Sequence, residues 1–333
     1  MPNPSPSFSQ RLTTAIQAKG TPACIGLDPK AAALPPALLA DANTAAAAPA
    51  DLPPEVLAPI FATFCREVID VVAPLVPIVK PQLACFEALG LPGMAALAET
   101  ISYARAQGLL VLADGKRGDI GSTAEAYAAG WLNGPWAADA LTVNPYLGLD
   151  AIEPFITRAE QAQAGILVLV KTSNPGGQDF QDLTAGDRPV YDHVARVVEA
   201  AAARTAGDAA YGSVGSVVGA TWPEQLASLR AAMPHTWILI PGFGHQGGTA
   251  ADVSGGFDSN GLGALVNSAR AVIFAHQRPA LNEGLRPQQW QTAVERACLE
   301  MIRQLAADTP AGRLQAAARE TAQLARQPYG CSG

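Results

Sequence analysis

Charge and aromatic rings are both scarce in this chain of 333 residues: Asp, Glu, Lys and Arg make up 15%, and Phe, Trp and Tyr 6%. It has no lysine- or arginine-dense stripe, and its net charge is −7, which argues against a nucleic-acid binder. No uncharged apolar run approaches the roughly 20 residues a membrane helix needs. Met1–Gln10 lacks the basic segment followed by an apolar one that marks a secretory signal. The five cysteines (Cys24, Cys65, Cys85, Cys298, Cys331) are odd in number and widely spaced, with no C-x-x-C pair. Neither a disulfide framework nor a zinc site is expected from them, and a reducing cytoplasm is the simplest compartment. What remains is 49% apolar, with 31 glycines and 27 prolines, too apolar for a disordered chain and too punctuated for a coiled coil.

Eight short apolar runs recur: Ala23–Leu27, Val76–Lys80, Leu109–Ala113, Ala140–Val143, Gly165–Lys171, Ser216–Gly219, Trp237–Ile240 and Ala271–Ala275. They are continuous rather than alternating, as in parallel strands buried on both faces. Helix-patterned segments separate most of them: Pro53 to about Val72, Leu91–Gln107, Ser122–Ala129, Leu149–Ala164, Pro189–Ala206 and Pro223–Met233. Ser7 and Gln10 form a capping box for a first helix, and Gln288–Ala307 and a tail to about Gln327 are also helical. This alternation predicts a (β/α)8 TIM barrel, with a doubly wound open sheet as the alternative. One domain spanning residues 1–333 is expected: a core from about 7 to 307, an Ala/Pro-rich insertion at 31–50 and a helical tail at 308–333. Thr249–Gly263, rich in Gly, Ser and Asp, reads as an extended loop suited to a lid.

The few charges sit at strand ends, where a barrel keeps its chemistry. The first strand ends at Asp28, the second at Lys80-Pro81-Gln82, and the third at Asp114-Gly115-Lys116-Arg117-Gly118-Asp119. Asp114 and Lys116, two apart, share a face of an extended chain. Asp119 precedes a helix start at Ser122 that Glu125 would cap. One Asp–Lys pair reads as a strut. Four alternating charges (Lys80, Asp114, Lys116, Asp119) at adjacent strand ends read as a site, because holding them together is costly unless each is paired. After the seventh strand, Gly242 to Gly248 forms a glycine loop, and Arg270 stands just before the eighth run. Together they suit an anion such as phosphate, the alternative being a tight turn near a surface arginine. Thr172-Ser173-Asn174-Pro175-Gly176 follows the fifth strand, where Ser173 is either a ligand contact or part of a turn. Lys171 is a strand-end charge facing either a ligand or the fold.

With these residues in place, the chain resembles the orotidine 5′-phosphate decarboxylases, in particular their longer bacterial branch. The signature D-x-K-x-x-D-I-x-x-T is matched by Asp114, Lys116, Asp119, Ile120 and Thr123. The G-L-D-P, K-P-Q, T-S-N-P-G, V-G-A-T, P-G-x-G-x-Q-G-G and N-S-x-R blocks follow in order between about Cys24 and Ala275. The resemblance implies a carboxy-lyase that converts orotidine 5′-monophosphate to uridine 5′-monophosphate in pyrimidine biosynthesis, without cofactor or metal. It implies that Lys116 protonates C6 and Asp114 faces the substrate carboxylate. Asp28 and Lys80 would hold the ribose, and Ser173 the pyrimidine. Gln246, Gly247, Gly248 and Arg270 would hold the phosphate. Asp119 and Thr123 would reach into the partner's site of a homodimer. Gly115 and His245 depart from the family pattern; His245 reads as a loop variation rather than a catalyst. Three alternatives stay open: a metal-dependent sugar-phosphate decarboxylase or aldolase of the same superfamily, a Schiff-base aldolase using Lys80, Lys116 or Lys171, and a non-catalytic nucleotide- or phosphate-binding barrel.

Overall fold

The computed structural model describes residues 5–41, 48–132, 134–244 and 247–324. Eight parallel strands close into a barrel: β1 (Ala23–Leu27), β2 (Ile78–Pro81), β3 (Leu110–Arg117), β4 (Ala140–Val143), β5 (Gly165–Lys171), β6 (Val214–Val218), β7 (Ile238–Pro241) and β8 (Ala264–Ser268). Each pairs with its neighbours in sequence, and β8 pairs back on β1 (Cys24 opposite Asn267). Every residue of β1, β2, β4, β6 and β8 is buried, which is why these runs are mainly apolar rather than alternating, with a few buried polar side chains such as Lys80, Thr142 and Asn267. Helices Pro54–Val72, Gly90–Ala106, Gly121–Leu132, Leu149–Ala162, Val190–Ala206, Pro223–Ala232 and Trp290–Asp308 surround the strands. Small buried side chains such as Ala62, Ala104, Ala128, Ala159 and Ala202 let them lie close to the sheet.

The N-terminal end of the barrel is covered by the helix Phe8–Lys19, capped by Ser7 and Gln10 as their spacing predicts. Phe8 packs over Gly165 at the start of β5, Arg11 pairs with Asp139 before β4, and the Trp237 indole donates to Ser9 Oγ at 3.0 Å. The tail helix Gly312–Leu324 packs on this cover: a Cβ on Gly20 would lie 3.1 Å from Ala318 Cβ. The Ala/Pro insertion contains short helical turns at Ala31–Ala33, Pro36–Asp41 and Pro49–Asp51.

Two local readings change. The eighth strand is Ala264–Ser268, not Ala271–Ala275; Arg270–Ile273 is a short helix that follows it. Composition favours the wholly apolar Ala271–Ala275 over a run that ends in Asn267-Ser268, but only Ala264–Ser268 lies in register with β7 and β1. Arg270 thus stands after the last strand, on the C-terminal face. Nor is Thr249–Gly263 an open lid. Thr249 and Asp252 form a capping box for the helix Ala250–Val253, and Val253 and Phe257 are buried. Gly255 and Gly256 allow close packing rather than motion, since Cβ atoms there would lie 2.8 Å from Ala227 and 2.6 Å from Ile240. A third detail is smaller: the helix after β3 opens at Gly121, so Ser122 lies inside its first turn rather than at its cap.

Candidate active site

β3 makes the site by breaking its own regularity. Its pairing with β4 slips between Ala113 and Arg117, and Lys116 takes a left-handed conformation, φ 47°, uncommon for a residue with a side chain. Asp114 and Lys116 meet at the mouth, as their two-residue spacing predicts, within this irregular stretch of strand. Lys116 Nζ donates to Asp114 Oδ1 at 2.6 Å, and the Lys116 amide donates to Thr142 Oγ1 at 2.9 Å.

Asp114 is the centre of the cluster. Lys80 Nζ donates to its Oδ2 at 2.6 Å and Gln82 Nε2 to the same oxygen at 3.0 Å, while the Thr142 hydroxyl donates to Oδ1 at 3.0 Å. Lys80 is 3% exposed and Asp114 6%. Burial alone would raise the Asp114 carboxyl, but Lys80 and Lys116 beside it hold it well below the usual carboxylate range. For Lys80, burial alone favours the neutral amine. Asp114 and Asp28 outweigh it and keep the ammonium charged beyond the ordinary lysine range. Cys24, sealed beneath this network, is pushed up to about 12 by burial, which makes it an inert thiol.

Lys80, Asp114, Lys116 and Thr142 line one wall of a cavity of about 300 Å³; Leu169, Val217 and Leu239 give it an apolar floor and Ser173 and Asn174 a polar edge. Asp28 lies at the end of β1, its buried Oδ1 without a hydrogen-bond partner. A Cβ on Gly26 would sit 3.1 Å from that oxygen and 2.5 Å from Ala269, so Asp28 lies between the β2 lysine and the Arg270 side of the mouth. Arg270 lines a second cavity of about 690 Å³ with Lys30, Gly244, Ser268 and Arg278. In the glycine loop the Gly247 amide donates to Gly244 and the Gly248 amide to Gly242, at 3.0 and 3.2 Å. These two amides are therefore used inside the turn. Gln246 and His245 lie outside the described residues.

The structure brings Lys80, Asp114, Lys116, Asp28 and Ser173 to one end of the barrel. It does not bring Asp119 into the charged cluster: its carboxylate accepts from the Ile120 amide at 2.8 Å, and Thr123 is exposed nearby. Lys171 is corrected as a ligand-facing candidate; it is fully buried, pairs with Asp182 and lies outside the cavity wall. Sequence reading missed Thr142 and the Gln82 side chain, which share Asp114 with the lysines. Their signal was one hydroxyl in the otherwise apolar run Ala140–Val143 and the amide of the K-P-Q block. Among the described residues, no three His, Cys, Asp or Glu side chains converge as a metal site, and no helix is long and apolar enough to cross a membrane.

The model of the orotidine 5′-phosphate decarboxylase / HUMPS family matches residues 21–281. An orotidine 5′-phosphate decarboxylase of Rhodopirellula baltica is 48% identical over 306 residues, covering 90% of this chain and 99% of its own. One from Deinococcus radiodurans is 44% identical over 271 residues, covering 81% and 90%. The solved structure of Leishmania donovani OMP decarboxylase superposes with a TM-score of 0.68 at 32% identity, covering 91% of this chain and 98% of its own. Barrel, charge cluster and likeness along nearly the whole length agree, and the chain belongs to the orotidine 5′-phosphate decarboxylase / HUMPS family.

Proposed function

We propose that the chain is a carboxy-lyase that converts orotidine 5′-monophosphate to uridine 5′-monophosphate in pyrimidine biosynthesis. The observation that carries this is Asp114, buried and ionised between Lys80 and Lys116 on the wall of a small half-apolar cavity. The C6–carboxylate bond breaks, CO2 leaves, and the electron pair stays on C6 without an adjacent electron sink. The ammonium of Lys116 stabilises that pair electrostatically and then delivers its proton to C6. Asp114 faces the substrate carboxylate; like charges ~4 Å apart at an effective dielectric of about 20 repel by about 4 kcal/mol, and that repulsion falls as CO2 departs.

Asp28, with its unpartnered oxygen, suits a ribose hydroxyl, and Lys80 a second one. Ser173 suits the pyrimidine amide edge. Arg270 suits the 5′-phosphate, with Gln246, Gly247 and Gly248 completing that subsite by likeness to the family. Binding energy from the phosphate end orients the ring over Lys116 and so raises the rate as well as the affinity. The metal-dependent sugar-phosphate reading and the Schiff-base reading gain no support: the relatives at 48% and 44% identity are named orotidine 5′-phosphate decarboxylases.

The same reading makes the chain one barrel domain acting as a cytoplasmic homodimer. Asp119 and Thr123 stand clear of their own cluster, and Ile120, Tyr146, Leu147 and Leu149 expose apolar surface beside them. A second copy covering this surface would receive Asp119 and Thr123 in its site. The test is the ultraviolet absorbance of orotidylate, which should be lost on adding the protein with EDTA present. A persistent signal would overturn the reading, and a signal lost only without EDTA would favour the metal-dependent one.

A further inference from the structure

Lys171 is a fully buried charge that the reaction does not use. Leu169 lines the reaction cavity, and simple alternation would turn Lys171 the same way. It does not, because β5 bulges against β6: Leu169 lies opposite Val217 while Lys171 lies opposite Val218, leaving Val170 as an extra residue. Lys171 is thereby aimed into a cage. Its Nζ pairs with Asp182, lies 4.4 Å from the Trp222 ring centroid, and 5.3 Å from that of Tyr191.

The cage ties down a segment that buries little apolar surface; its own short antiparallel pair, Thr184–Ala185 with Arg188–Pro189, and the His193 contact to the Ala185 carbonyl hold its far end. Residues 174–189 run mostly exposed, with Phe180 65% and Leu183 56% accessible, so apolar burial does not anchor them. Polar contacts do. Gln181 accepts from the Thr172 amide at 2.9 Å and donates to the Thr172 hydroxyl at 2.8 Å. The Trp222 indole donates to the Thr172 carbonyl at 2.8 Å, and the Thr221 hydroxyl to that of Ser173 at 3.2 Å. These hydrogen bonds fix Thr172 and Ser173, which with the adjoining Asn174 form the polar edge of the cavity.

We propose that Lys171 is a positioning residue: with Asp182, Tyr191 and Trp222 it latches the segment after β5 so that Ser173 and Asn174 meet the base of the substrate. This rests on the orotidylate reading of the same cavity.

The test compares Lys171→Met, Asp182→Asn and Lys171→Arg with the unchanged protein. For Lys171→Met, kcat/KM for orotidylate should fall about tenfold to a hundredfold, the range expected of a misplaced binding group. Inhibition by uridine 5′-monophosphate should weaken in parallel. Inhibition by ribose 5-phosphate, which lacks the base, should not change. Asp182→Asn should show the same pattern more mildly, and Lys171→Arg, which keeps the cation, should restore much of the loss. Amide hydrogen exchange across 172–189 should quicken in the Met variant, a readout independent of activity. Equal losses for uridylate and ribose 5-phosphate, or unchanged exchange in both the Met and Asn variants, would overturn the latch. If the unchanged protein does not consume orotidylate, the substrate reading fails instead, and the exchange data still decide the latch. Should Lys171→Met not fold, Asp182→Asn carries the comparison, because that carboxylate is partly exposed.

Discussion

Asp114 carries more of the site than any other residue, since two cations, an amide and a hydroxyl all bond its carboxylate. Removing Lys116 leaves three of those bonds, and the Lys116 side chain is half exposed. Lys116→Ala should therefore melt close to the parent while decarboxylation is lost, which a melting curve and the ultraviolet assay check together. Asp114→Ala is the opposite case. It leaves the buried Lys80 without its closest partner and should destabilise the fold by about 3 kcal/mol, read from urea unfolding. The pH dependence has a definite sign. Asp114 binds its proton less readily in the native state than its ordinary value of 3.8, so its contribution is present above that pH and lost as pH falls below it. Lys80 holds its proton more firmly than its ordinary value of 10.5, so its contribution is complete below that pH and lost as pH rises beyond it. Urea midpoints across pH should show both limbs, and the acid limb should be shallower in Asp114→Asn.

Individual elements show where glycine and alanine do structural work. Phe8 lies directly on Gly165, where a Cβ would come within 2.3 Å of the ring. Gly165→Ala should overpack the contact between the covering helix and β5, at a cost of about 1–3 kcal/mol in unfolding free energy. Phe8→Leu in the same chain should recover part of it, a coupling that a double-mutant cycle measures. The Thr249–Gly263 segment makes the same point. Its composition suggested mobility, yet Gly255 and Gly256 are there because backbone packs against Ala227 and Ile240. Strand β8 shows the limit of composition: Ala271–Ala275 is wholly apolar while Ala264–Ser268 ends in Asn267-Ser268, yet pairing with β7 and β1 selects the latter.

At the scale of the whole molecule, the proposed shared site gives two tests. Lys116→Ala and Asp119→Ala chains, each inactive alone, should regain activity when mixed, because a hybrid dimer holds one site free of both changes. No recovery after confirmed subunit exchange would argue against sharing. Ile120→Asp places a charge on the exposed apolar surface beside Asp119 and should shift the sedimentation of the protein from dimer toward monomer.

The barrel class was legible in the sequence because strands buried on both faces must be mainly apolar, and eight such runs, seven of them barrel strands, alternate with helical periodicity. The family was legible in the ordered strand-end blocks, and with it the residues that carry charge at the mouth. The tertiary structure decided what those charges do to each other. Asp114 and Lys116 meet as their spacing predicts, but they do so where β3 bulges and Lys116 adopts a positive φ, which no propensity scale predicts. Thr142 and Gln82 join them only because neighbouring strands end at the same level. Arg270 follows the last strand because register, not hydrophobicity, ends the sheet at Ser268. Lys171 turns from the cavity to a latch because a single extra residue in β5 rotates it away. Composition and period set which segments are buried; register, bulge and burial set where each side chain points, and these depend on neighbours far away in the chain.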